Sequence, residues 1–196
     1  MKEYREKIAN LSVYEQKMRD LYLRKLALGE ILGPLTGYLS IDKPFLKNYP
    51  EEALLREVPK QTIYERIYAC NKDRLQDIAL IYQDVQITFG ELFENIDRVS
   101  KALLAMGVKR GEKVSLCMPN IPETVYTIYA LSKIGAVANM IEPRTNAKRI
   151  KQYLIEAKST KLLMVDLCKK NIDKIIDDAD CPLKTVIGVS AVQSFK

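Results

Sequence analysis

The stretch Val85–Pro143 alternates strand, helix, strand, helix, strand, with a turn residue at almost every junction. Its first helix begins at Thr88–Glu91, a T-F-G-E capping box in which the threonine hydroxyl accepts from the amide three residues on. Apolar residues then recur at the spacing of one helical face: Leu92, Ile96, Val99, Leu103 and Met106. Gly107 lies where a left-handed closing residue is expected. Strands separated by helices of this length need right-handed crossovers, so the pattern predicts a parallel sheet.

The second half of this stretch repeats the plan. Val114, Leu116 and Met118 predict a strand, and Asn120–Glu123 (N-I-P-E) predicts a helix with Asn120 as N-cap, an early proline and an acid in the first turn. Gly135 is expected to end that helix. Ala136–Ile141 is apolar except for Asn139, which predicts a strand buried on both faces.

The flanking segments extend the same architecture. Ile78–Tyr82 and Val85–Phe89, joined by Gln83-Asp84, predict a hairpin. After Pro143 the sequence predicts, in order, a capped loop, a helix, a strand, a helix with acids near its end, and a last strand: Pro143–Asn146, Ile150–Ala157, Leu162–Val165, Leu167–Ala179 and Lys184–Val189. The predicted fold is therefore α/β, an open, mostly parallel sheet with helices on both faces.

The first 60 residues are predicted to form a separate N-terminal part. Glu3–Leu28 carries an apolar stripe at helical spacing, which favours a helix that packs on the protein over a helix on a membrane surface. Ile31–Pro59 holds four prolines and is expected to wrap as a non-helical segment. Thr62–Glu65 (T-I-Y-E) is a second capping box. The predicted parts are residues 1–60 and an α/β subdomain over 61–196.

Composition excludes several classes of function. The 196 residues carry a formal net charge of +6 with both signs interspersed. The sequence contains no basic stripe with stacking aromatics, so nucleic-acid binding is not predicted. No apolar run approaches the ~20 residues of a membrane-spanning helix. Histidine is absent, which removes Ser-His and Cys-His nucleophiles and histidine metal sites from this chain.

The four cysteines stand at 70, 117, 168 and 181, and no pair has the spacing of a metal site or a redox motif. Cys117 falls in a predicted strand and is interpreted as a small core residue. Free thiols without a recognisable signal peptide are typical of a reducing cytosol, so a cytoplasmic protein is expected.

Few residues suggest chemistry by themselves. The eight glycines form neither G-x-G-x-x-G nor G-x-x-x-x-G-K-[ST]. Asp166 follows a predicted strand, but Asn139 and Glu142 do not complete a phosphoacceptor set with it, so it is expected to cap the next helix. Tyr126 and Tyr129, one helical turn apart, predict a partly buried aromatic pair, suited to packing or to a ligand wall.

Four motifs in order carry a family resemblance: I-T-F-G-E-L-F from Ile87, G-V-K-R-G-E-K-V from Gly107, M-P-N-I-P-E from Met118, and L-S-K-I-G-A-V-A-N-M-I-E-P from Leu131. This arrangement resembles the opening portion of the adenylate-forming enzymes, which include acyl-CoA synthetases, luciferases and peptide-synthetase adenylation domains. The segment Phe45–Pro50 is similar to the lead-in of bacterial long-chain fatty-acyl-CoA ligases, although a medium-chain or aryl ligase stays an alternative.

The resemblance implies an enzyme that activates a carboxylic acid, here a fatty acid, as acyl-adenylate with ATP and Mg²⁺, and then transfers it to coenzyme A. The family's phosphate loop, adenine motif, ribose-binding aspartate and late catalytic lysine have no counterpart in the 196 residues. The chain is therefore expected to be an N-terminal fragment, inactive by itself, with no catalytic, cofactor-binding or metal-binding residue assigned and no cofactor bound. Asn120 and Gly135 match family motif positions, but as a helix cap and a helix stop.

Under this interpretation the substrates meet the remainder of the parent protein, and a homo-oligomer is an option. Two other functions stay open at the level of sequence. One is a non-catalytic interaction module that uses the same fold, and the other is an unrelated nucleotide-binding α/β domain of flavodoxin-like shape.

Overall fold

The computed structural model describes residues 59–190 and a few isolated earlier positions (20, 24, 25, 37–39, 48 and 50). The chain divides into two units, Met1–Lys60 and Gln61–Lys196, and the fold reported below is that of the second. The predicted helix Glu3–Leu28 and the predicted wrapping segment Ile31–Pro59 lie outside the described residues, those isolated positions apart. The assignment of the two parts stays a prediction.

Helices and strands alternate along the described part. The helices are α1 (Ile63–Asn71), α2 (Phe89–Ala105), α3 (Pro122–Ile134), α4 (Ala147–Ala157) and α5 (Lys169–Ile172), with a 3₁₀ turn at Asp166–Cys168. The strands are β1 (Ile78–Tyr82), β2 (Val85–Thr88), β3 (Lys113–Cys117), β4 (Val137–Met140), β5 (Lys161–Val165) and β6 (Thr185–Val189). None of these helices is long and apolar enough to cross a bilayer.

A four-stranded parallel sheet with the order β4-β3-β5-β6 organises the fold. Ser115 in β3 lies opposite Asn139 of β4 on one side and Leu162 of β5 on the other. Helices connect and flank these strands, as crossovers between parallel strands require. The predicted α/β fold with a parallel sheet is confirmed.

The predicted hairpin is confirmed as well. β1 and β2 pair antiparallel, with Tyr82 opposite Val85, and Gln83 adopts a positive φ of 53° in the turn. The two strands form a separate two-stranded sheet. Phe89 begins α2 and does not extend β2.

Two capping boxes start the helices that follow Thr62 and Thr88. At Thr88 the hydroxyl accepts from the amide of Glu91 at 3.2 Å, and the Glu91 carboxylate accepts from the amide of Thr88 at 2.9 Å. At Thr62 the corresponding distances to Glu65 are 3.1 and 2.6 Å. These reciprocal hydrogen bonds confirm both predicted boxes. Each box satisfies amides that a helix start leaves unpaired.

Replacing Thr88 with alanine should lower the free energy of unfolding by about 1 kcal/mol, since the amide of Glu91 loses its acceptor at the start of α2. Urea denaturation followed by circular dichroism measures the change. Thr88→Ser keeps the hydroxyl and serves as control, with a loss of only a few tenths expected. An alanine variant as stable as the parent chain would show that this cap does not hold α2.

Two glycines end helices in the left-handed conformation, as predicted. Gly107 follows α2 with φ +75°, and Gly135 caps α3 with φ +80°. A methyl group at Gly135 would lie 3.1 Å from the Cγ of Arg110, whereas Gly107 has open space around it. The position of Gly135 therefore needs glycine for its backbone conformation, and a Cβ there would also require the Arg110 side chain to shift.

The core is built around β3 and α2. Val114, Leu116 and Cys117 are 0% exposed in the central strand, and Ile96 is equally buried in α2. Cys117 is thus a core residue, as predicted. These side chains join one cluster with apolar residues of α3, α4 and β5, of which Leu131, Leu154 and Leu162 are fully buried.

The prediction that Ala136–Ile141 is buried on both faces is wrong for this chain. β4 lies at the edge of the four-stranded sheet, and Val137 and Met140 are 47% and 49% exposed. An apolar run indicates that a strand suits a sheet interior, but it does not give the strand order. Here β3 covers one edge of β4 only.

The predicted helix Leu167–Ala179 is also wrong in its length. The segment forms the 3₁₀ turn Asp166–Cys168, the short helix α5, and turns that continue to residue 177. Ile172 and Ile175 are buried and anchor it. Four aspartates follow at 173, 177, 178 and 180, and acids at a helix C-terminus oppose the helix dipole. A helix that continued to Ala179 would carry Asp177 and Asp178 in its last turn, so this charge pattern disfavours the longer helix.

A buried serine joins β3 to β5. Ser159 is 0% exposed, and its hydroxyl oxygen accepts from the amide of Ser115 at 3.0 Å. The same oxygen lies 3.0 Å from the carbonyl of Lys113 and 2.9 Å from the carbonyl of Lys161. The hydroxyl has one proton, which it donates to either of these two carbonyls. On the other side of β3, the Asn139 amide group donates to the Ser115 hydroxyl at 2.9 Å.

Asp97 ties α2 to α3 through a carboxylate between two lysines. It accepts from Lys133 of α3 and from Lys101 at 2.9 Å on its own helix. The hydrogen bond from Lys133, followed by that from Lys101, lowers the pKa of Asp97 to about 2. The Lys133 ammonium also lies 4.9 Å from the ring centroid of Tyr64 in α1.

This pairing predicts a pH-dependent contribution to stability. A carboxyl whose pKa is lower in the folded than in the unfolded state stabilises fully above its unfolded pKa of 3.8, and the contribution is lost as pH falls towards 2. Asp97→Asn should therefore flatten the decline of unfolding free energy between pH 4 and pH 2. Lys133→Gln should flatten it in part, because Lys101 remains. Identical slopes in the parent and both variants would contradict the ion-pair account.

Candidate functional site

The carboxyl ends of β3, β4 and β5 open into a cleft. Because β4 lies on one side of β3 and β5 on the other, this is the point at which the strand order reverses, where open α/β sheets place their ligands. The cleft has a volume of about 630 Å³. Its walls are the three segments Met118–Asn120, Met140–Arg144 and Val165–Cys168, Asp166 excepted.

The floor of the cleft is apolar. Met118, Ile141, Val165 and Cys168 are each at most 3% exposed. The first three lie at or directly after the ends of β3, β4 and β5, and Cys168 ends the 3₁₀ turn that follows β5. Each is itself buried against the core, so the packing of the sheet fixes its position. Close packing of the core beneath the floor restrains these side chains.

The rim is polar and exposed. Arg144 Nε lies 2.9 Å from a carboxylate oxygen of Glu142, with side chains 90% and 59% exposed. The hydrogen bonds from Arg144 hold the pKa of Glu142 below its usual value. Leu167, 80% exposed, completes the rim as an apolar side chain without a covering element in the described part of the chain. The rim thus presents a paired charge beside an exposed leucine.

Asn120 lines the cleft but does not cap α3, so that prediction is wrong. The N-cap residue is Ile121, extended at φ −119° and ψ 162°, and it makes no side-chain cap hydrogen bond. Pro122 at the first helical position forces the preceding residue out of the helical region, which moves the cap one position on. The Thr124 hydroxyl donates to the carbonyl of Pro119 at 2.6 Å and closes the turn.

Asp166 and Asn139 have local roles. The carboxylate of Asp166 accepts from the amide of its neighbour Leu167 at 2.9 Å, whereas α5 begins after Cys168 without a side-chain cap. Asp166 therefore does not cap the helix, contrary to the prediction. Asn139 is directed to Ser115 and not to Glu142. The structure does not bring Asp166, Asn139 and Glu142 into one site.

Tyr126 and Tyr129 lie on α3 and are not part of the cleft lining. Tyr126 is 8% exposed and Tyr129 is half-buried, and both pack with the core cluster. Burial raises the pKa of Tyr126. The ring contacts of residues 59–190 involve Tyr64, Tyr68, Phe89 and Phe93. The packing role, one of the two interpretations of Tyr126 and Tyr129, agrees with their burial against the core cluster.

Two thiols meet beneath the cleft. The sulfur atoms of Cys117 and Cys168 are 3.6 Å apart. Burial raises the pKa of Cys117 to about 12, and burial also raises the pKa of Cys168. Both groups are therefore protonated thiols at neutral pH.

The titratable groups around the cleft are already engaged or protonated. The carboxylate of Glu142 is held by Arg144, and the buried thiols are protonated. Sequence reasoning missed Arg144, Leu167 and Cys168 as cleft residues. The one signal that could have found them is that the carboxyl ends of parallel strands share an edge of the sheet.

Comparison with known proteins agrees with this architecture. Residues 68–195 match the family model described as AMP-binding enzyme. The acetyl-coenzyme A synthetase of Bartonella bacilliformis is 34% identical over 137 residues, which cover 62% of this chain and 21% of that protein. The acetyl-coenzyme A synthetase 1 of Debaryomyces hansenii is 27% identical over 165 residues, covering 82% and 21%. The chain thus spans about a fifth of these relatives.

Solved structures show the same fold. The inhibitor-bound N-terminal domain of FACL13 from Mycobacterium tuberculosis superposes with a TM-score of 0.63 at 26% identity, covering 66% of this chain and 33% of that one. A long-chain-fatty-acid-CoA ligase from Archaeoglobus fulgidus gives a TM-score of 0.62 at 22% identity, covering 68% and 28%. With well over half of its residues matched by one family model, this chain belongs to the AMP-binding enzyme family.

Proposed function

We propose that this chain is the N-terminal part of an ATP-dependent acyl-CoA ligase. The observation that carries the proposal is the match of residues 68–195 to the AMP-binding enzyme family. The acetyl-coenzyme A synthetases among its relatives support it, since they form the same kind of thioester. Cytoplasmic location is part of the proposal, because free cysteines are typical of a reducing compartment.

The proposed reaction has two steps. A carboxylate oxygen of the acid attacks the α-phosphorus of ATP, and the bond to pyrophosphate breaks to give acyl-adenylate. The thiol sulfur of coenzyme A then attacks the acyl carbon, and AMP leaves to give the thioester. In this proposal the described residues supply the scaffold and one binding surface, and the reacting groups come from other parts of the protein.

The family also implies Mg²⁺. Within the described residues no group of three or more histidine, cysteine, aspartate or glutamate side chains could hold a metal ion. The rim acid Glu142 is engaged by Arg144. We therefore assign no magnesium ligand to the described residues, and no step of the proposal passes through one here.

The cleft is the part of this chain that we assign to ligand contact. It lies at the switch point of the sheet, its floor is apolar, and Asn120, Glu142 and Arg144 are polar side chains at its mouth. Such a surface suits one wall of a site that a further domain completes.

For the acyl group we propose a long-chain fatty acid, supported by the similarity of Phe45–Pro50 to long-chain ligases. The names of the curated relatives favour acetate as the competing substrate. Formation of the CoA thioester by the longer protein that contains this chain, measured with acetate, octanoate and palmitate at equal concentration, separates the two. ATP-dependent palmitoyl-CoA is the expected product. If acetyl-CoA is the only product, acetate replaces the long-chain fatty acid as the proposed substrate. If no acid gives a thioester, the proposed ligase activity is wrong.

A further inference from the structure

The buried thiol pair Cys117–Cys168 is a feature that the proposed ligase reaction does not use. Cys117 completes β3, and Cys168 ends the 3₁₀ turn after β5. Their sulfur atoms are 3.6 Å apart although the residues are 51 positions apart in the chain. Neither residue is more than 1% exposed. The fold therefore holds two thiols in contact at the switch point of the sheet.

The pair also lies where three strand ends meet. The sulfur of Cys168 is 3.6 Å from the carbonyl of Cys117 and 3.6 Å from the carbonyl of Pro143, which follows β4. Cys168 contributes to the cleft lining, whereas Cys117 does not. Of the two cysteines, Cys168 is therefore the one that borders the cleft, and Cys117 lies in contact with it.

We propose that Cys117 and Cys168 form an intramolecular disulfide when the chain is exposed to hydrogen peroxide, which makes the cleft floor a reversible oxidation site. The sulfur of Cys168 attacks one peroxide oxygen, the oxygen–oxygen bond breaks, and the products are a sulfenic acid and one water. The sulfur of Cys117 then displaces the hydroxyl group, which leaves with the thiol proton as a second water. The two sulfurs lose two electrons, and the peroxide gains them.

Geometry favours this bond over separate oxidation of the two thiols. The sulfurs are already 3.6 Å apart and have to approach by about 1.5 Å to reach disulfide distance. A sulfenic acid formed at Cys168 has the second thiol already in contact, so it is resolved before further oxidation. Burial and the protonated state make the first step slow, so the response requires sustained exposure to the oxidant.

The bond would tie the end of β3 to the segment after β5. It closes a loop of 51 residues, and a cross-link of that length restricts the unfolded chain strongly. It also fixes the floor of the cleft. We therefore expect the oxidised chain to melt at a temperature higher by roughly 10 °C, and dithiothreitol to reverse the change.

The test begins by removing the other two thiols. Cys70 is exposed and Cys181 is partly exposed, so both would react earlier and could link two chains. The 196-residue chain with Cys70→Ser and Cys181→Ser is treated with hydrogen peroxide, unfolded without reductant, and alkylated with N-ethylmaleimide. Mass spectrometry should show a loss of two hydrogens, no alkyl group, and one cross-linked peptide pair containing Cys117 and Cys168.

Three outcomes would overturn the proposal: both thiols remain open to alkylation, each is oxidised separately to a sulfinic acid, or the disulfide joins two chains. Adding Cys168→Ala to the same background should abolish the cross-link and the rise in melting temperature. The peptide map of the background chain decides the question even if that variant does not fold. The inference does not rest on the proposed ligase activity.

Discussion

Leu116→Ala should cost about 3 kcal/mol of unfolding free energy, within the 2–5 kcal/mol that large-to-small core substitutions remove. Leu116 is 0% exposed in β3, opposite Met140 of β4 and Leu163 of β5. Its truncation leaves a cavity that strands paired on both sides cannot close. Since domains are stable by about 5–15 kcal/mol, such a loss removes a large share of the total.

The matched control is Leu104→Ala. Leu104 lies in α2 and is 55% exposed, so the same chemical change there should stay within about 0.5 kcal/mol. Urea denaturation of both variants gives the comparison, with equal m-values as the check on a two-state transition. Equal losses at the two positions would show that β3 is not the centre of the core.

Ser159→Ala should cost roughly 1–3 kcal/mol, because the buried amide of Ser115 loses its serine acceptor. The loss falls at the junction of β3 and β5, where the hydroxyl also lies within hydrogen-bond distance of two carbonyls. Amide hydrogen exchange at Ser115 should accelerate along with the loss of stability. That second readout distinguishes a local opening of the strand pair from a general destabilisation.

Ser100→Ala is the control for this substitution. Ser100 is 4% exposed in α2, and its hydroxyl donates to the carbonyl of Asp97 at 2.8 Å. Its removal leaves no amide unpaired, so the change should stay within about 0.5 kcal/mol. A Ser159 variant as stable as the Ser100 variant would contradict the role of Ser159 as a clamp between strands.

Features with a local cause could be predicted from the sequence. The caps at Thr62 and Thr88 and the helix stop at Gly135 depend on residues within one turn, and all three are confirmed. The prediction that Asn120 caps α3 was wrong because two local signals competed. The restriction that Pro122 imposes on Ile121 outweighed the preference of asparagine for the N-cap.

Features set by strand order could not be predicted in this way. The apolar sequence of β4 is the same whether the strand lies inside a sheet or at its edge, so the exposure of Val137 and Met140 needed the structure. The cleft and the contact of Cys117 with Cys168 have the same origin. Both depend on β3 and β5 being neighbours, and the spacing of 51 residues gives no sign of that.

The central claim is that this chain is the scaffold of an adenylate-forming ligase whose reacting groups lie in other parts of the protein. Carboxylate-dependent exchange of labelled pyrophosphate into ATP tests it most directly, because it reports the first chemical step without coenzyme A. The account predicts exchange by the longer protein and none above background by the 196-residue chain. Exchange catalysed by the 196 residues alone, or its absence from the longer protein with every acid tried, would contradict the account.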